Sequence, residues 1–269
     1  MAHRIGRYTV ALDSRPIIVS SAAAVGTKEG DGPMAQYFDY ISDDDLMESK
    51  TWEQAESLFQ KTAVQLALKK ARLSACEIDG IYAGDLLNQC IGSTFGLRDF
   101  EIPLTGLFGA CSTMALSLIT AATAVDGGSM RRAVAVTSSH FCSAERQFRF
   151  PLDYGGVRPP TSQWTVTGSG AAIISANGSG PHIDAYTIGR AVDYNISDAN
   201  NMGAAMAPDD VKIRPYPTNE GMVFFYTQIQ YLRGFRALFK GFLMRKTVEK
   251  SVNEIYAQSR NYYKKEEEF

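Results

Sequence analysis

Cysteine is scarce in this sequence, and its spacing excludes two common kinds of site. Cys76, Cys90, Cys111 and Cys142 lie 14, 21 and 31 residues apart, so no pair has the CxxC spacing of zinc sites or thioredoxin-type motifs. We therefore expect free thiols in a reducing compartment, with no metal ion and no cofactor.

Long apolar runs and an excess of charge are also missing. No stretch approaches the roughly 18 uninterrupted apolar residues of a membrane span, and the first residues lack the apolar segment of a secretory signal. The net charge is −2, which gives no field that would attract nucleic acid. A soluble, intracellular protein that does not bind nucleic acid is expected.

What the sequence does contain is an alternation of apolar strands with amphipathic helices. A helix is predicted from Thr51, its N-cap, to about Arg72, with Gln54 completing a capping box. The strands are predicted at residues 17–25, 78–84, 103–108, 131–139, 165–176 and 182–189, the last two as a closing pair. This order predicts an α/β fold with a mixed, mainly parallel sheet covered by helices.

The most informative segment is residues 107–114, LFGACSTM. An apolar run predicted to be a buried strand precedes a Gly-Ala-Cys turn, and a helix is predicted over residues 112–125. Cys111 would then lie at a helix N-terminus, where the helix dipole favours a reactive thiolate. The alternative is that Cys111 is a small buried apolar residue.

Polar residues follow three of the predicted strands. They are Asp85, Cys111 and the run Ser138-Ser139-His140. Because ligands of such sheets bind at the carboxyl ends of the strands, we expect these residues to form one site. The polar segment at 140–163 is too long for a plain connection and is a candidate for ligand binding.

The composition changes near residue 208. Residues 208–269 are rich in aromatic and basic side chains and predict a mostly helical tail, distinct from a domain at 1–207. Such an amphipathic helix either packs against the preceding domain or lies at an anionic membrane surface.

Several ordered segments resemble the thiolase superfamily and, within it, the stage V sporulation protein AD family of spore-forming bacteria. The resemblance runs from about residue 17 to 208, and its most specific segments are GDGP at 30–33, AGDLLNQ at 83–89, LFGACST at 107–113, TSSH at 137–140, AERQFR at 144–149, VTGSG at 166–170 and MGAAMAP at 202–208. It implies a thiolase-like fold and a non-catalytic protein that binds dipicolinic acid. It also implies work with the SpoVA membrane proteins in dipicolinate uptake, in the forespore and peripheral to the inner spore membrane.

Within the resemblance, Cys111 matches the thiolase nucleophile, but the family's second half is not recognisable. The catalytic histidines of that half are missing, since His182 is the last histidine. The tail is then truncated, frame-disrupted, rearranged or divergent. Two alternatives stay open: a thiolase- or ketoacyl-synthase-like acyltransferase that acts on a coenzyme A or carrier-protein thioester, and a remnant with no ligand. A homodimer is also left open.

Dipicolinate carries two carboxylates, so the implied site needs hydrogen-bond donors and cations. The expected ligand-binding residues are Asp85, Asn88, Cys111, Ser112, Thr113, Ser138, Ser139, His140, Arg146 and Arg149. The arginines would each clasp a carboxylate, or else form structural ion pairs. The pair Asp85 and Asn88 would orient the Cys111 loop, unless calcium accompanies the ligand. His140 would donate to a carboxylate or serve a structural role.

Overall fold

A computed structural model describes residues 2–148 and 165–189 and the backbone of one further strand at Met222–Phe225. The chain forms two compact units, Met1–Leu232 and Arg233–Phe269, and every described residue belongs to the first. The predicted change of domain at residue 208 lies outside the described residues and stays a prediction.

The described residues form short and long strands interleaved with helices. The strands are β1 (His3–Arg4), β2 (Thr9–Ala11), β3 (Ile17–Val25), β4 (Tyr40–Ile41), β5 (Gly80–Gly84), β6 (Leu104–Gly106), β7 (Arg132–Ser139), β8 (Gly168–Ser175), β9 (Ile183–Thr187) and β10 (Met222–Phe225). The α-helices are α1 (Thr27–Gly30), α2 (Trp52–Ala71), α3 (Ile91–Leu97), α4 (Thr113–Asp126) and α5 (Phe141–Phe148).

The larger sheet has six strands in the order β4-β3-β8-β7-β5-β6. Strand β8 is antiparallel to both of its neighbours, and the other three pairs are parallel. This arrangement confirms the predicted α/β fold with a mixed, mainly parallel sheet. The smaller sheet has the order β1-β2-β9-β10.

The predicted closing pair at 165–176 and 182–189 is wrong as a pair. Its strands, β8 and β9, exist but lie in different sheets. Between them the chain crosses the start of β3, where Ile18 N donates to Pro181 O at 2.9 Å. Gly180 permits the crossing, because a Cβ there would overlap the carbonyl oxygen of Ile18. The chain therefore leaves the first sheet instead of turning back along it.

Helix α2 packs on one face of the six-stranded sheet and begins as predicted. The Thr51 hydroxyl accepts a hydrogen bond from Gln54 N at 3.3 Å, while the Gln54 side chain reaches Lys50 N instead of completing the box on Thr51. Phe59 is fully buried in the core that α2 forms with the sheet, where the helix packs against β3, β8 and β7. Trp52, predicted on the same face, is 39% exposed.

Helix α4 packs against β5 and β7. Ile81, Ala83, Val134 and Val136 of these strands share a core cluster with the apolar face of α2, so the alternate positions face α4. With helices on both faces, the interior strands β5 and β7 are buried along nearly their whole length. No helix among the described residues is long and apolar enough to cross a membrane.

The strand predicted at residues 103–108 is shorter and less buried than expected. Strand β6 lies at the edge of the sheet and pairs with β5, and the Phe108 side chain that follows is 55% exposed. The prediction of a buried strand was wrong, because an apolar run can form an edge strand as well as an interior one.

Candidate functional site

Three chain segments meet at the carboxyl edge of the central strands. Strands β5 and β7 are parallel and place Gly84 opposite Thr137, so Asp85 and Ser138 follow at the same edge. The loop after β6 joins them, because Leu107 N donates to Ala83 O at 2.7 Å. The segments that carry Asp85, Cys111 and Ser138 therefore converge.

The loop that carries Cys111 is held by its own polar groups. Gly109 N donates to the Thr113 hydroxyl at 3.1 Å, and that hydroxyl donates to Ala110 O at 2.7 Å. The Ser112 hydroxyl donates to Gly109 O at 2.6 Å. Ala110 has a φ of 46°, in the left-handed region that is unfavourable for a residue with a Cβ, so this turn is strained. The hydroxyls of Ser112 and Thr113 thus shape the turn.

Cys111 lies in a single 3-10 turn, Ala110–Ser112, directly before α4. Its thiol is half-buried, and this burial raises the pKa of Cys111 above its ordinary value. The expectation that the helix N-terminus makes this thiol ionise more readily is therefore wrong, because desolvation of the thiolate outweighs the favourable backbone dipoles.

Asp85 is buried and accepts three hydrogen bonds, from Leu87 N at 2.9 Å, Ser93 N at 2.7 Å and Ser93 Oγ at 2.6 Å. Asp85 therefore fixes the segment that leads into α3. The prediction that it orients the Cys111 loop is corrected accordingly. Asn88 is exposed. The group from this segment that contacts the Cys111 loop is Cys90, whose thiol donates to Leu107 O at 3.5 Å.

His140 is fully buried, and the backbone engages both of its ring nitrogens. Nδ1 accepts from Cys142 N at 3.2 Å, so Nε2 carries the hydrogen and donates to Asp45 O at 2.8 Å. Burial lowers the pKa of His140, which favours the neutral ring. This geometry supports the structural alternative for His140 over donation to a ligand carboxylate.

The remaining predicted residues fall into two groups. The hydroxyl of Ser138 donates to Glu56 Oε1 at 3.1 Å, and that of Ser139 donates to Val166 O, so both bind protein acceptors. The Arg146 backbone is in α5, but its side chain and all of Arg149 lie outside the described residues. The role of the two arginines stays a prediction.

The sequence analysis missed a buried polar cluster centred on Glu56 and Gln60 of α2. Both side chains are fully buried. The Gln60 amide nitrogen lies 3.2 Å from Gly84 O, 3.1 Å from Ser93 Oγ and 3.2 Å from Ser138 Oγ. The signal was available: the two polar residues are four apart and flank Phe59 on the apolar stripe of α2.

Glu56 also accepts from the Ser143 hydroxyl at 2.9 Å. Burial, followed by the nearby Asp85 carboxylate, raises the pKa of Glu56 to about 7. The cluster links the ends of β5 and β7 to α2, α3 and α5. Within the part of the chain that the structure describes, no three His, Cys, Asp or Glu side chains are placed to hold a metal ion.

Comparisons with known proteins agree on one family. The family model described as "Stage V sporulation protein AD (SpoVAD)" matches residues 6–215. Stage V sporulation protein AD of Bacillus subtilis (strain 168) is 46% identical over 194 residues, which cover 72% of this chain and 57% of that protein. The chain thus spans little more than half the length of this relative.

Solved structures are similar at a lower level. The tetronic acid condensing enzyme AbyA1 is 18% identical with a TM-score of 0.44, over 62% of this chain and 56% of that one. The 3-oxoacyl-[acyl-carrier-protein] synthase III of Aquifex aeolicus VF5 is 13% identical with a TM-score of 0.41, over 60% and 53% of the two chains.

Proposed function

Because the chain belongs to the stage V sporulation protein AD family, we propose that it binds dipicolinic acid during sporulation without converting it. The proposal that the chain does not convert its ligand is supported by the burial of the Cys111 thiol and by the direction of its pKa shift. This thiol is half-buried, and this burial raises the pKa of Cys111, which disfavours the thiolate that a nucleophile needs.

All three histidines lie in the part of the chain that the structure describes, and none of them bonds to that thiol. His3 pairs with Asp13 at 2.6 Å, and His182 Nδ1 bonds Arg15 O at 3.0 Å. His140 is committed to two backbone groups. General-base activation of a nucleophile needs a base within hydrogen-bond reach, and none of the three histidines supplies it.

The ligand's two carboxylates need hydrogen-bond donors or cations at the carboxyl edge. The hydroxyls of Ser112, Thr113, Ser138 and Ser139 all donate to protein acceptors. The proposal therefore gives the direct contacts to Arg146 and Arg149, since a guanidinium can bind a carboxylate with two parallel hydrogen bonds.

Calorimetric titration of the whole chain with dipicolinic acid tests this function. Pyridine-2-carboxylate lacks one carboxylate and benzoate lacks the ring nitrogen as well, so both should bind at least about tenfold more weakly if two charge-assisted contacts are made. Repeating each titration with calcium shows whether the ligand binds as its calcium complex. A folded chain that gives no saturable heat would overturn the proposal and favour the remnant alternative.

A matched set of arginine variants locates the site. Arg146→Gln and Arg149→Gln should each weaken dipicolinate binding. Arg131→Gln should leave it unchanged, because Arg131 lies at the opposite end of β7 with a side chain that is 90% exposed. Equal affinity in all three variants would place the ligand elsewhere.

The acyltransferase alternative predicts covalent chemistry at Cys111. An acyl-enzyme would add the acyl mass of acetyl-coenzyme A to the peptide that contains Cys111, and Cys111→Ser would abolish the adduct. We expect no adduct.

The same family membership underlies a further part of the proposal, that the protein works beside the SpoVA membrane proteins at the inner spore membrane. Fractionation of sporulating cells tests it. The protein should sediment with forespore membranes and be released by high salt or by deletion of those partners. Recovery of the protein in the supernatant, after the membranes of otherwise unaltered sporulating cells have been sedimented, would argue against this location.

A further inference from the structure

Glu56 is a fully buried acidic side chain near the carboxyl edge of the sheet, and its hydrogen bonds link three elements. It projects from α2. Its Oε1 accepts from Ser138 Oγ at the end of β7, at 3.1 Å, and its Oε2 accepts from Ser143 Oγ of α5, at 2.9 Å. Helix α5 is thus held against α2 and β7 through this one carboxyl group.

The polar cluster that contains Glu56 draws its groups from α2, α3, α5 and the ends of β5 and β7. Gln60 of α2 and Ser93 of α3 are neutral, and His140, which precedes α5, is neutral in its hydrogen-bonded form. The charged group that acts on Glu56 within the described residues is Asp85, after β5. Asp85 accepts three hydrogen bonds.

Two buried anions near each other are unfavourable without a cation, and one of them gains by binding a proton. Asp85 accepts three hydrogen bonds and Glu56 accepts two, so Glu56 has fewer donors to compensate a negative charge. Its raised pKa, about 7, agrees with a proton on Glu56.

The hydrogen bonds of Ser143 can be satisfied whether Glu56 is ionised or protonated. With Glu56 ionised, the Ser143 hydroxyl donates to Oε2. With Glu56 protonated, the carboxyl O–H can donate to Ser143 Oγ, and the serine hydroxyl can turn to His140 O, which lies 3.2 Å away. Neither state leaves Ser143 without an acceptor.

We propose that Glu56 is a proton-binding positioning residue: uptake of one proton from solvent reverses its hydrogen bond with Ser143 and sets how firmly the start of α5 is held on α2 and β7. The protonated form holds α5 more firmly, because the packing of α5 against Glu56 buries the carboxyl group, and burial costs the carboxylate more than the neutral acid. This cost outweighs the stronger hydrogen bond that Ser143 donates to the ionised form. The ionised form loosens it.

Infrared difference spectroscopy of the full chain tests the proton directly. A buried carboxylic acid should give a C=O band that disappears between about pH 6 and 8, with a midpoint near 7. The band should be missing in Glu56→Gln and kept in Glu101→Gln, a control at an exposed position. A wild-type spectrum with no such band, or with one that Glu56→Gln retains, would overturn the proposal.

Hydrogen exchange tests the effect on α5. After correction for intrinsic rates, amides at residues 141–148 should exchange several-fold faster at pH 8 than at pH 6, while those of α4 should not change. The Glu56→Gln variant should lose this dependence.

If Glu56→Gln does not fold, Ser143→Ala provides the second variant. It removes a donor to the ionised form, so the infrared midpoint should move to higher pH. An unchanged midpoint in Ser143→Ala, or equal pH dependence of α5 exchange with and without Glu56, would refute the coupling.

Discussion

Gly84, at the end of β5, lies so close to the carbonyl oxygen of Leu107 that a Cβ on residue 84 would overlap that oxygen. The same Cβ would overlap the Thr113 methyl group. The close approach of the Cys111 loop to the sheet therefore depends on a residue that has no side chain.

Gly84→Ala should displace the Cys111 loop and destabilise the protein by roughly 1–3 kcal/mol, the usual cost of overpacking. Urea unfolding followed by circular dichroism measures the change. Gly106→Ala on the neighbouring strand is the control, since its Cβ would meet Cys90 Sγ at an ordinary 3.6 Å. Equal stability of the two variants would show that the loop can shift without cost.

Glu56 should make the stability depend on pH. Its pKa is about 7 in the folded chain and near the ordinary 4.5 when unfolded, so the folded state binds more protons between these values. Stability from this group is full below pH 4.5 and is lost as pH rises to about 7. The upper bound is about 3 kcal/mol.

Chemical denaturation of the wild type and of Glu56→Gln at several pH values isolates this contribution. The difference in unfolding free energy should favour the variant increasingly between pH 5 and 8. A pH-independent difference would mean that Glu56 does not titrate in this range.

His140→Ala should destabilise the protein by roughly 2–4 kcal/mol, because it leaves a cavity and two buried backbone groups without partners. His3→Ala, at an exposed position, should change stability by less than about 0.5 kcal/mol. Thermal unfolding of both variants gives the comparison. A His140→Ala protein with normal stability and lost dipicolinate affinity would instead assign His140 to the ligand.

The lowered pKa of His140 adds a pH dependence of opposite sign to that of Glu56. The unfolded chain takes up a proton below about pH 6.5, whereas the folded ring resists it, so stability falls as pH falls through this range. A variant with Asn in place of His140 should lose this acid sensitivity in the same denaturation series. Retention of the full slope would mean that other groups produce it.

Cys111 should react slowly with iodoacetamide at pH 7 and faster as pH rises above 9, since burial raises the pKa of its thiol. Cys76 is exposed and serves as the internal reference. Mass spectrometry of the labelled peptides gives both rates in one experiment. Faster labelling of Cys111 than of Cys76 at pH 7 would restore the reactive-nucleophile hypothesis.

Much of the fold could be predicted from local patterns. The strand at Ile17–Val25 was predicted with the observed bounds, and the strand ending at Ser139 and the N-cap at Thr51 were also correct. These features depend on short-range chemistry: an unbroken apolar run, or a hydroxyl three residues before an unpaired backbone N–H. The family too was predicted, from segments that keep their order along the chain.

Other features depend on which elements meet. The sequence could not show that β8 and β9 part into different sheets, or that β6 is an edge strand, since an apolar run looks the same in either place. The sequence also could not show the pKa shifts of Cys111 and Glu56, because a pKa depends on burial and on neighbours that are distant in the chain.

The sequence by itself therefore determined the longer strands, the helices α2 and α4, the order of these elements and the segments that converge at the carboxyl edge. Only the tertiary structure decided what those segments do there. It turned the hydroxyls of Ser138 and Ser139 onto distant protein acceptors, buried His140 between two backbone partners and placed the Glu56 carboxyl near that of Asp85. The physical reason is that hydrogen bonding and desolvation are set by packing across the sheet, while periodicity and turn chemistry are set by residues close along the chain.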